Sequence, residues 1–347
     1  MFHPVLRLRI ERMMKRAALF LALLHGAASA QSVLAPEWMK QDAASLSKEF
    51  PSLKFDFYKN PGDAAGKAAA AEAFIGSPDE AVMKAGEKLR WVHVYSAGIE
   101  KYTHLPRFKE GKVTVTNLKI YQGPEIADHA FALLLHLTRN MAEYQKAQED
   151  GSWPKSGPTA MPLTELRGRT MLVIGFGGIG TQVAERARAF GMKVMAIDEK
   201  DIPLTQTLEY CGRPDELNEL LPKADVVVNC VPHTPASEHM IAAPQFAAMK
   251  DGAYFINVSR GKVVDTAALV KALQDRKLAG AGLDVVDPEP LPADSPLRKM
   301  KNVIITPHIA GVSGDRPGRQ NELIRDNLGR FARGLPLKNA TDPGRGY

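Results

Sequence analysis

Apolar and polar positions along this chain follow two rhythms, one of period two and one near 3.6, and the switches between them mark strands and helices. From Leu34 to Phe50 the spacing predicts a helix, Leu53–Tyr58 alternates as a strand, residues 64–73 read as an Ala-rich helix, and Phe74-Ile75 leads into Gly76. Lys88–Tyr95 and Val113–Asn117 read as further strands, with the Gly-bearing turn Ser96-Ala97-Gly98 between them. Pro124 suits a first helical turn, and Ile126, Ala130, Leu133, Leu134 and Leu137 form one apolar face of a helix that ends near Gln148. After a Gly- and Pro-rich loop from Gly151 to Pro162, strands and helices alternate without a break from Thr170 to Thr306. The last helix carries Leu323, Ile324, Leu328 and Phe331 on one face and stops at Gly334. This rhythm implies an α/β protein: a doubly wound parallel sheet covered on both faces, preceded by a smaller α/β unit to which the C-terminal tail returns.

Composition narrows the class. The 347 residues are 45% hydrophobic and 24% charged, which excludes a disordered or collagen-like chain. Two cysteines, Cys211 and Cys230, make no disulfide framework, and without a Cys-x-x-Cys pair no metal site is expected. The net charge of +6 suggests an acidic partner, but Arg7, Arg9, Arg12, Lys15 and Arg16 against Glu11 place most of it in the first 30 residues, so a nucleic-acid partner is not expected. That segment runs basic, then apolar from Ala17 to Leu24, then small at Ala28-Ser29-Ala30, the order of a signal peptide cut before Gln31. A cut there places the protein in the periplasm or outside the cell; without it the protein is cytoplasmic. The apolar run falls short of the roughly 20 residues that span a bilayer, so no stable membrane anchor is expected. A competing reading makes Leu19–Leu24 the first buried strand of the fold.

The candidate chemistry lies at strand ends. Met171–Ile174 runs straight into Gly175-Phe176-Gly177-Gly178-Ile179-Gly180 and a helix begins at once, the context in which a Gly-x-Gly-x-x-Gly run cradles a pyrophosphate. Asp198 ends the following strand, Lys193–Ile197, where a carboxylate accepts hydrogen bonds from a ribose diol and repels a 2′-phosphate, which favours NAD over NADP. Neighbouring Lys200 keeps NADP open. Arg260 follows the strand Tyr254–Val258, Glu289 stands in Asp287-Pro288-Glu289-Pro290, and His308 follows the strand Val303–Thr306. A guanidinium suits a substrate carboxylate, an imidazole exchanges a proton near neutral pH, and a carboxylate beside it fixes its orientation.

Together these pieces resemble the D-isomer-specific 2-hydroxyacid dehydrogenases. The resemblance rests on the glycine run, Asp198, Cys230-Val231-Pro232, Asn257-Val258-Ser259-Arg260-Gly261, Gly282-Leu283-Asp284-Val285, Asp287-Pro288-Glu289-Pro290-Leu291 and Thr306-Pro307-His308-Ile309-Ala310-Gly311. It covers nearly all of residues 88–340. It implies a Rossmann domain (124–312, with its linking helix) inserted in a smaller flavodoxin-like substrate-binding domain (31–123 and 313–347), behind a signal at 1–30. It further implies an oxidoreductase moving a hydride between NAD(H) and a small 2-hydroxy or 2-oxo acid. Arg260 would bind and polarise the oxo acid, His308 would be the general acid/base, and Glu289 would pair with it and raise its pKa. Asp284 would hold the nicotinamide carboxamide. Cys230, Val231 and Pro232 would line the cofactor channel, with Val258 and Ser259 also on the cofactor, and the amides of Ala97 and Gly98 would face the substrate. Glu100 stands where the family usually has Asp. A homodimer through the long helix after Pro124 is expected. The strand that opens the family's smaller domain has no candidate after Gln31, so either Leu19–Leu24 supplies it or the mature chain lacks it. Two other functions stay open: a formate or phosphite dehydrogenase of the same architecture, with Glu289 against formate, and a non-catalytic, corepressor-like NAD sensor.

Overall fold

Val33, Leu34 and Ala35 are fully buried in strand β1 (Gln31–Pro36), which pairs on one side with β2 (Leu53–Tyr58) and on the other with β3 (Ala73–Ile75). The structure is a computed structural model and describes residues 30–153, 163–203 and 205–342. The proposed signal and the alternative strand Leu19–Leu24 therefore lie outside the described residues, as does much of the Gly151–Pro162 loop. The opening strand, for which the sequence offers no candidate after Gln31, is Gln31–Pro36, and the helix expected from Leu34 is corrected at its start. Pro36 ends the strand, a 3-10 turn covers Glu37–Asp42, and only Ala43–Glu49 is α-helical. Val33-Leu34-Ala35 is buried on both faces, so it shows no alternation and reads as easily into a helix.

By compactness the described residues form two units, one up to residue 93 with 327–337 and one from 94 to 326 with 338–342. In the first, β4 (Trp91–His93) pairs with β3, giving the parallel order β2-β1-β3-β4. The end of the last helix (Arg316–Ala332) belongs to this unit: Phe331 packs on Trp91 with ring centroids 5.4 Å apart, and the Arg90 guanidinium lies 5.0 Å over its ring.

The second unit contains β5 (Thr114–Thr116) and a parallel sheet of seven strands. These are β6 (Thr170–Ile174), β7 (Lys193–Ile197), β8 (Tyr210–Gly212), β9 (Val226–Asn229), β10 (Ala253–Asn257), β11 (Leu278–Leu283) and β12 (Val303–Ile305). Their spatial order is β12-β11-β10-β9-β6-β7-β8. Each face has its own core. Met171 and Val173 of β6 pack with Leu133, Leu134, Val183 and Ala184, while Leu172 and Ile174 of the same strand pack with Phe246, Leu269 and Leu273. That two-sided burial is the reason the strands read as continuous apolar runs. The chain starts at β6, walks outward to β8, then returns to β9 on the other side, so the winding reverses between β6 and β9; in such sheets the ligand crevice opens beyond the carboxyl ends of those two strands.

The long helix expected from Pro124 to Gln148 is two helices, Gly123–Thr138 and Met141–Glu149. Asn140 breaks it with a left-handed backbone (φ 51°), a conformation Asn tolerates better than most residues.

Candidate functional site

The glycine run occupies the reversal point. Gly175 has φ +90°, and a Cβ there would lie 2.9 Å from Val231 N, so the loops after β6 and β9 approach more closely than a side chain would permit. A Cβ on Gly180 would run into the carbonyl oxygen of Gly175, which ties the helix Gly178–Ala189 tightly to its strand. Gly177, the helix N-cap, is different: a Cβ there would meet nothing within 4 Å. No side chain caps this helix, so its first-turn N–H groups are left uncapped at the positive end of the helix dipole. Gly178 is also constrained, because its Cβ would sit 2.7 Å from Ile120 Cα.

Asp198 lies beside this loop. Its Oδ2 accepts from Phe176 N (2.8 Å) and its Oδ1 from Lys200 N (2.9 Å), so the carboxylate is fixed while each oxygen keeps a further lone pair. These donors and acceptors fit a dinucleotide: bare amides for a pyrophosphate and an anchored carboxylate for a ribose. Cys230 follows β9, and burial pushes its thiol up to about 12, which disfavours the nucleophilic thiolate.

Three further groups stand at successive strand ends of the same sheet edge: Arg260 after β10, Asp284 after β11 and His308 after β12. Arg260 Nε donates to Glu100 Oε1 at 2.7 Å and Nη1 to the Ser259 carbonyl at 2.7 Å. The Ser259 hydroxyl donates to the Val231 carbonyl, joining the Arg260 loop to the loop after β9. Beneath them the buried pair Asn229 and Asn257 bond side chain to side chain at 3.1 Å, and Asn257 Oδ1 also accepts from Ser259 N at 3.2 Å. The turn carrying Ala97 and Gly98 is held from below, since Asn117 Nδ2 donates to the Ala97 carbonyl and Ser96 Oγ to the Gly98 carbonyl, each at 2.5 Å.

His308 Nδ1 lies 3.0 Å from Glu289 Oε2, while Glu289 Oε1 accepts from Val286 N at 3.1 Å. The imidazole is therefore oriented by a carboxylate that its own loop holds in place. His308 has a left-handed backbone (φ 54°), and its N–H donates to the Asp284 carbonyl at 2.8 Å. The buried Asp284 carboxylate organises the rest of this loop, accepting from Thr306 Oγ1 (2.6 Å), Ile309 N (2.9 Å) and Ala310 N (3.0 Å). His129, on the Gly123–Thr138 helix, reaches the same network through Thr306 Oγ1 at 2.8 Å.

The fold that carries these residues recurs in known proteins. Residues 131–310, just over half of the chain, match the family model described as D-isomer specific 2-hydroxyacid dehydrogenase, NAD binding domain. The chain belongs to the D-isomer specific 2-hydroxyacid dehydrogenase family. Among its relatives is a glyoxylate reductase of Korarchaeum cryptofilum, 38% identical over 260 residues, covering 74% of this chain and 77% of that protein. Among solved structures, the D-lactate dehydrogenase of Aquifex aeolicus, complexed with NAD and lactic acid, is 30% identical with a TM-score of 0.66; the match covers 87% of this chain and 96% of that one. A family member from Xanthobacter autotrophicus, in complex with NADPH and MES, is 28% identical with a TM-score of 0.76, over 92% of this chain and all of that one. The dehydrogenase thus carries the family's nicotinamide-dinucleotide domain, and its chemistry is 2-hydroxyacid oxidoreduction.

The sequence singles out the glycine run and the Arg260, Glu289 and His308 segments, with Thr306 present only as part of the His308 segment, but gives no sign of His129 or Asn229. Both bond to partners outside their own segment, His129 to Thr306 177 residues away and Asn229 to Asn257 28 residues away, and no local spacing signals such a pair. Among the described residues no group of three His, Cys, Asp or Glu could hold a metal ion, and no helix is long and apolar enough to cross a membrane.

Asp284 gives a test of how the His308 loop is held. Asp284→Ala leaves one hydroxyl and two amide donors without their acceptor, which costs about 2–4 kcal/mol. Chemical denaturation should show that loss with an unchanged m-value, and turnover should fall with it.

Proposed function

We propose that this dehydrogenase reduces a small 2-oxo acid to the D-2-hydroxy acid with NADH, glyoxylate being the first candidate substrate, and that Arg260, His308 and Glu289 serve the reacting centre. The single observation that carries this reading is the 3.0 Å His308–Glu289 pair on the sheet edge that also bears Arg260 and the glycine run.

The amides of Gly177, Gly178, Ile179 and Gly180 would hold the pyrophosphate, Gly175 gives the turn its room, and Asp198 would hold the adenosine ribose. Cys230, Val231, Pro232, Val258 and Ser259 would wall the nicotinamide side, with the remaining acceptor capacity of Asp284 turned to the carboxamide. When bound, NADH supplies a hydride from nicotinamide C4. Arg260 binds the oxo acid with its remaining N–H donors and polarises the carbonyl oxygen on which negative charge develops. The amides of Ala97 and Gly98 receive the substrate carboxylate. His308 delivers a proton to that oxygen from Nε2, because Nδ1 is taken by Glu289. Glu289 fixes the orientation of the ring. In the reverse direction the same imidazole removes the hydroxyl proton.

Solved relatives hold NADPH or NAD, and Asp198 supports NAD for this chain: an anchored carboxylate beside the ribose position would oppose a 2′-phosphate. Asp198→Ala should weaken NADH binding roughly ten- to a hundred-fold, the value of hydrogen bonds to a charged acceptor, and narrow its preference over NADPH. Titration by nicotinamide fluorescence reads both; unchanged selectivity would remove Asp198 from the cofactor site.

The activity itself is tested by following NADH absorbance with glyoxylate and with pyruvate. D-lactate from pyruvate supports the reading, and no oxidation with any 2-oxo acid favours a sensor. Three further proposals accompany it. Residues 1–30 are an export signal, supported by β1 beginning at Gln31; N-terminal sequencing should read Gln31, and a start at Met1, Met13 or Met14 would contradict it. Residues 31–123 with 313–347 bind substrate and 124–312 bind cofactor. The protein is a homodimer, which light scattering checks.

A further inference from the structure

Arg260 does not offer a substrate its whole fork. Of the five guanidinium N–H donors, the one on Nε is held by Glu100 Oε1 at 2.7 Å and one on Nη1 by the Ser259 carbonyl at 2.7 Å. The Gly98 turn closes on the same spot: a Cβ there would stand 2.5 Å from Arg260 Nη2 and nearer still to Glu100 Oε2. Guanidinium, carboxylate and turn are thus packed together, with the Arg260 and Glu100 side chains 27% and 32% exposed. Burial by itself pushes the Glu100 carboxyl up, but the Arg260 charge and hydrogen bond outweigh it, and with a smaller contribution from His233 they hold the group below the usual carboxylate range. Glu100 is therefore an anion in contact with the cation assigned to the substrate.

Two consequences follow from that contact. The guanidinium plane is fixed before substrate arrives, so its unused Nη donors keep one direction. Its net charge is also already balanced, so an incoming carboxylate is held by directed hydrogen bonds rather than by an unpaired positive charge. A second negative charge on the ligand would meet the Glu100 carboxylate.

We propose that Glu100 is the positioning residue of Arg260 and, on the reading of Arg260 as substrate anchor, sets the site's selectivity for monocarboxylic over dicarboxylic 2-oxo acids. Selection here works by repulsion of the wrong ligand as much as by attraction of the right one.

The test uses two nearly isosteric, non-reducible ligands that differ by one charge, oxamate and oxalate, titrated calorimetrically into the full chain with saturating NADH. Wild type should bind oxamate better than oxalate. Glu100→Gln keeps an oxygen for Arg260 Nε but removes the charge, so oxalate should tighten by ten-fold or more while oxamate changes two- to three-fold at most. Glu100→Asp, which keeps the charge, should retain the oxamate preference. In steady state, Glu100→Gln should lower KM for a dicarboxylic oxo acid such as oxaloacetate much more than it changes kcat. If Glu100→Gln weakens both ligands equally, or leaves their ratio unchanged, the proposal is overturned and Glu100 is only structural. Arg260→Lys separates the two claims: if it leaves both affinities intact, the substrate-anchor reading itself fails, whatever Glu100 does.

Discussion

Replacing His308 by Asn should lower kcat roughly a hundred- to ten-thousand-fold, the usual worth of a positioned general acid/base, while leaving NADH binding within two-fold of wild type. Asn is a better choice than Ala because position 308 has a left-handed backbone, φ 54°, which Asn adopts at little cost. The backbone N–H bond to the Asp284 carbonyl and the Asp284 bonds to Ile309 and Ala310 then survive, so the loop stays folded and only the imidazole is lost. Stopped-flow or steady-state assays give kcat, and nicotinamide fluorescence gives the cofactor affinity. Turnover within a factor of three of wild type would remove His308 from the reaction. Glu289→Gln should lower kcat less than His308→Asn does, because an amide oxygen can still accept from Nδ1 but makes a weaker, neutral hydrogen bond to hold the ring.

Arg260→Lys should reduce kcat/KM roughly a hundred- to a thousand-fold, about 3–4 kcal/mol, comparable to losing one preorganised donor at a developing oxyanion. The ammonium preserves the charge, so this loss isolates the fork geometry. A lysine could satisfy either Glu100 Oε1 or the Ser259 carbonyl, the two acceptors now met by different edges of one plane, but not both while also reaching a substrate. The effect should be present in both kcat and KM, since the same donors bind the ground state and polarise the carbonyl. Unaltered kcat with a modest rise in KM would make Arg260 a binding residue only.

Much of the site was visible in the order of residues, for physical reasons. A strand that ends in Gly175 and restarts as a helix at Gly178 needs a bare backbone to turn and to pack, and that need shows in sequence as glycine. Arg260, Glu289 and His308 could be placed on one sheet edge because each follows an apolar strand, and parallel winding puts all such strand ends on the same side. What spacing could not convey was contact across the chain. Glu100 lies 160 residues from Arg260, and His129 lies 177 from Thr306, so nothing local marks either pair. The first strand was hidden for a different reason: Val33-Leu34-Ala35 is buried on both faces, with no alternation to separate it from the helical turns after Pro36. The break at Asn140 was hidden too, because Leu137 and the residues beyond it keep a helical rhythm that one left-handed residue interrupts.

The central claim is that this chain moves a hydride from the nicotinamide ring to the carbonyl carbon of a 2-oxo acid. Incubation with NADH carrying deuterium at the transferred C4 position and glyoxylate in ordinary water tests it directly, with the product read by mass spectrometry. The expected product is glycolate with one deuterium on its carbinol carbon, with an equal amount of NAD formed. Glycolate without deuterium, or NADH consumed with no labelled product, would contradict it.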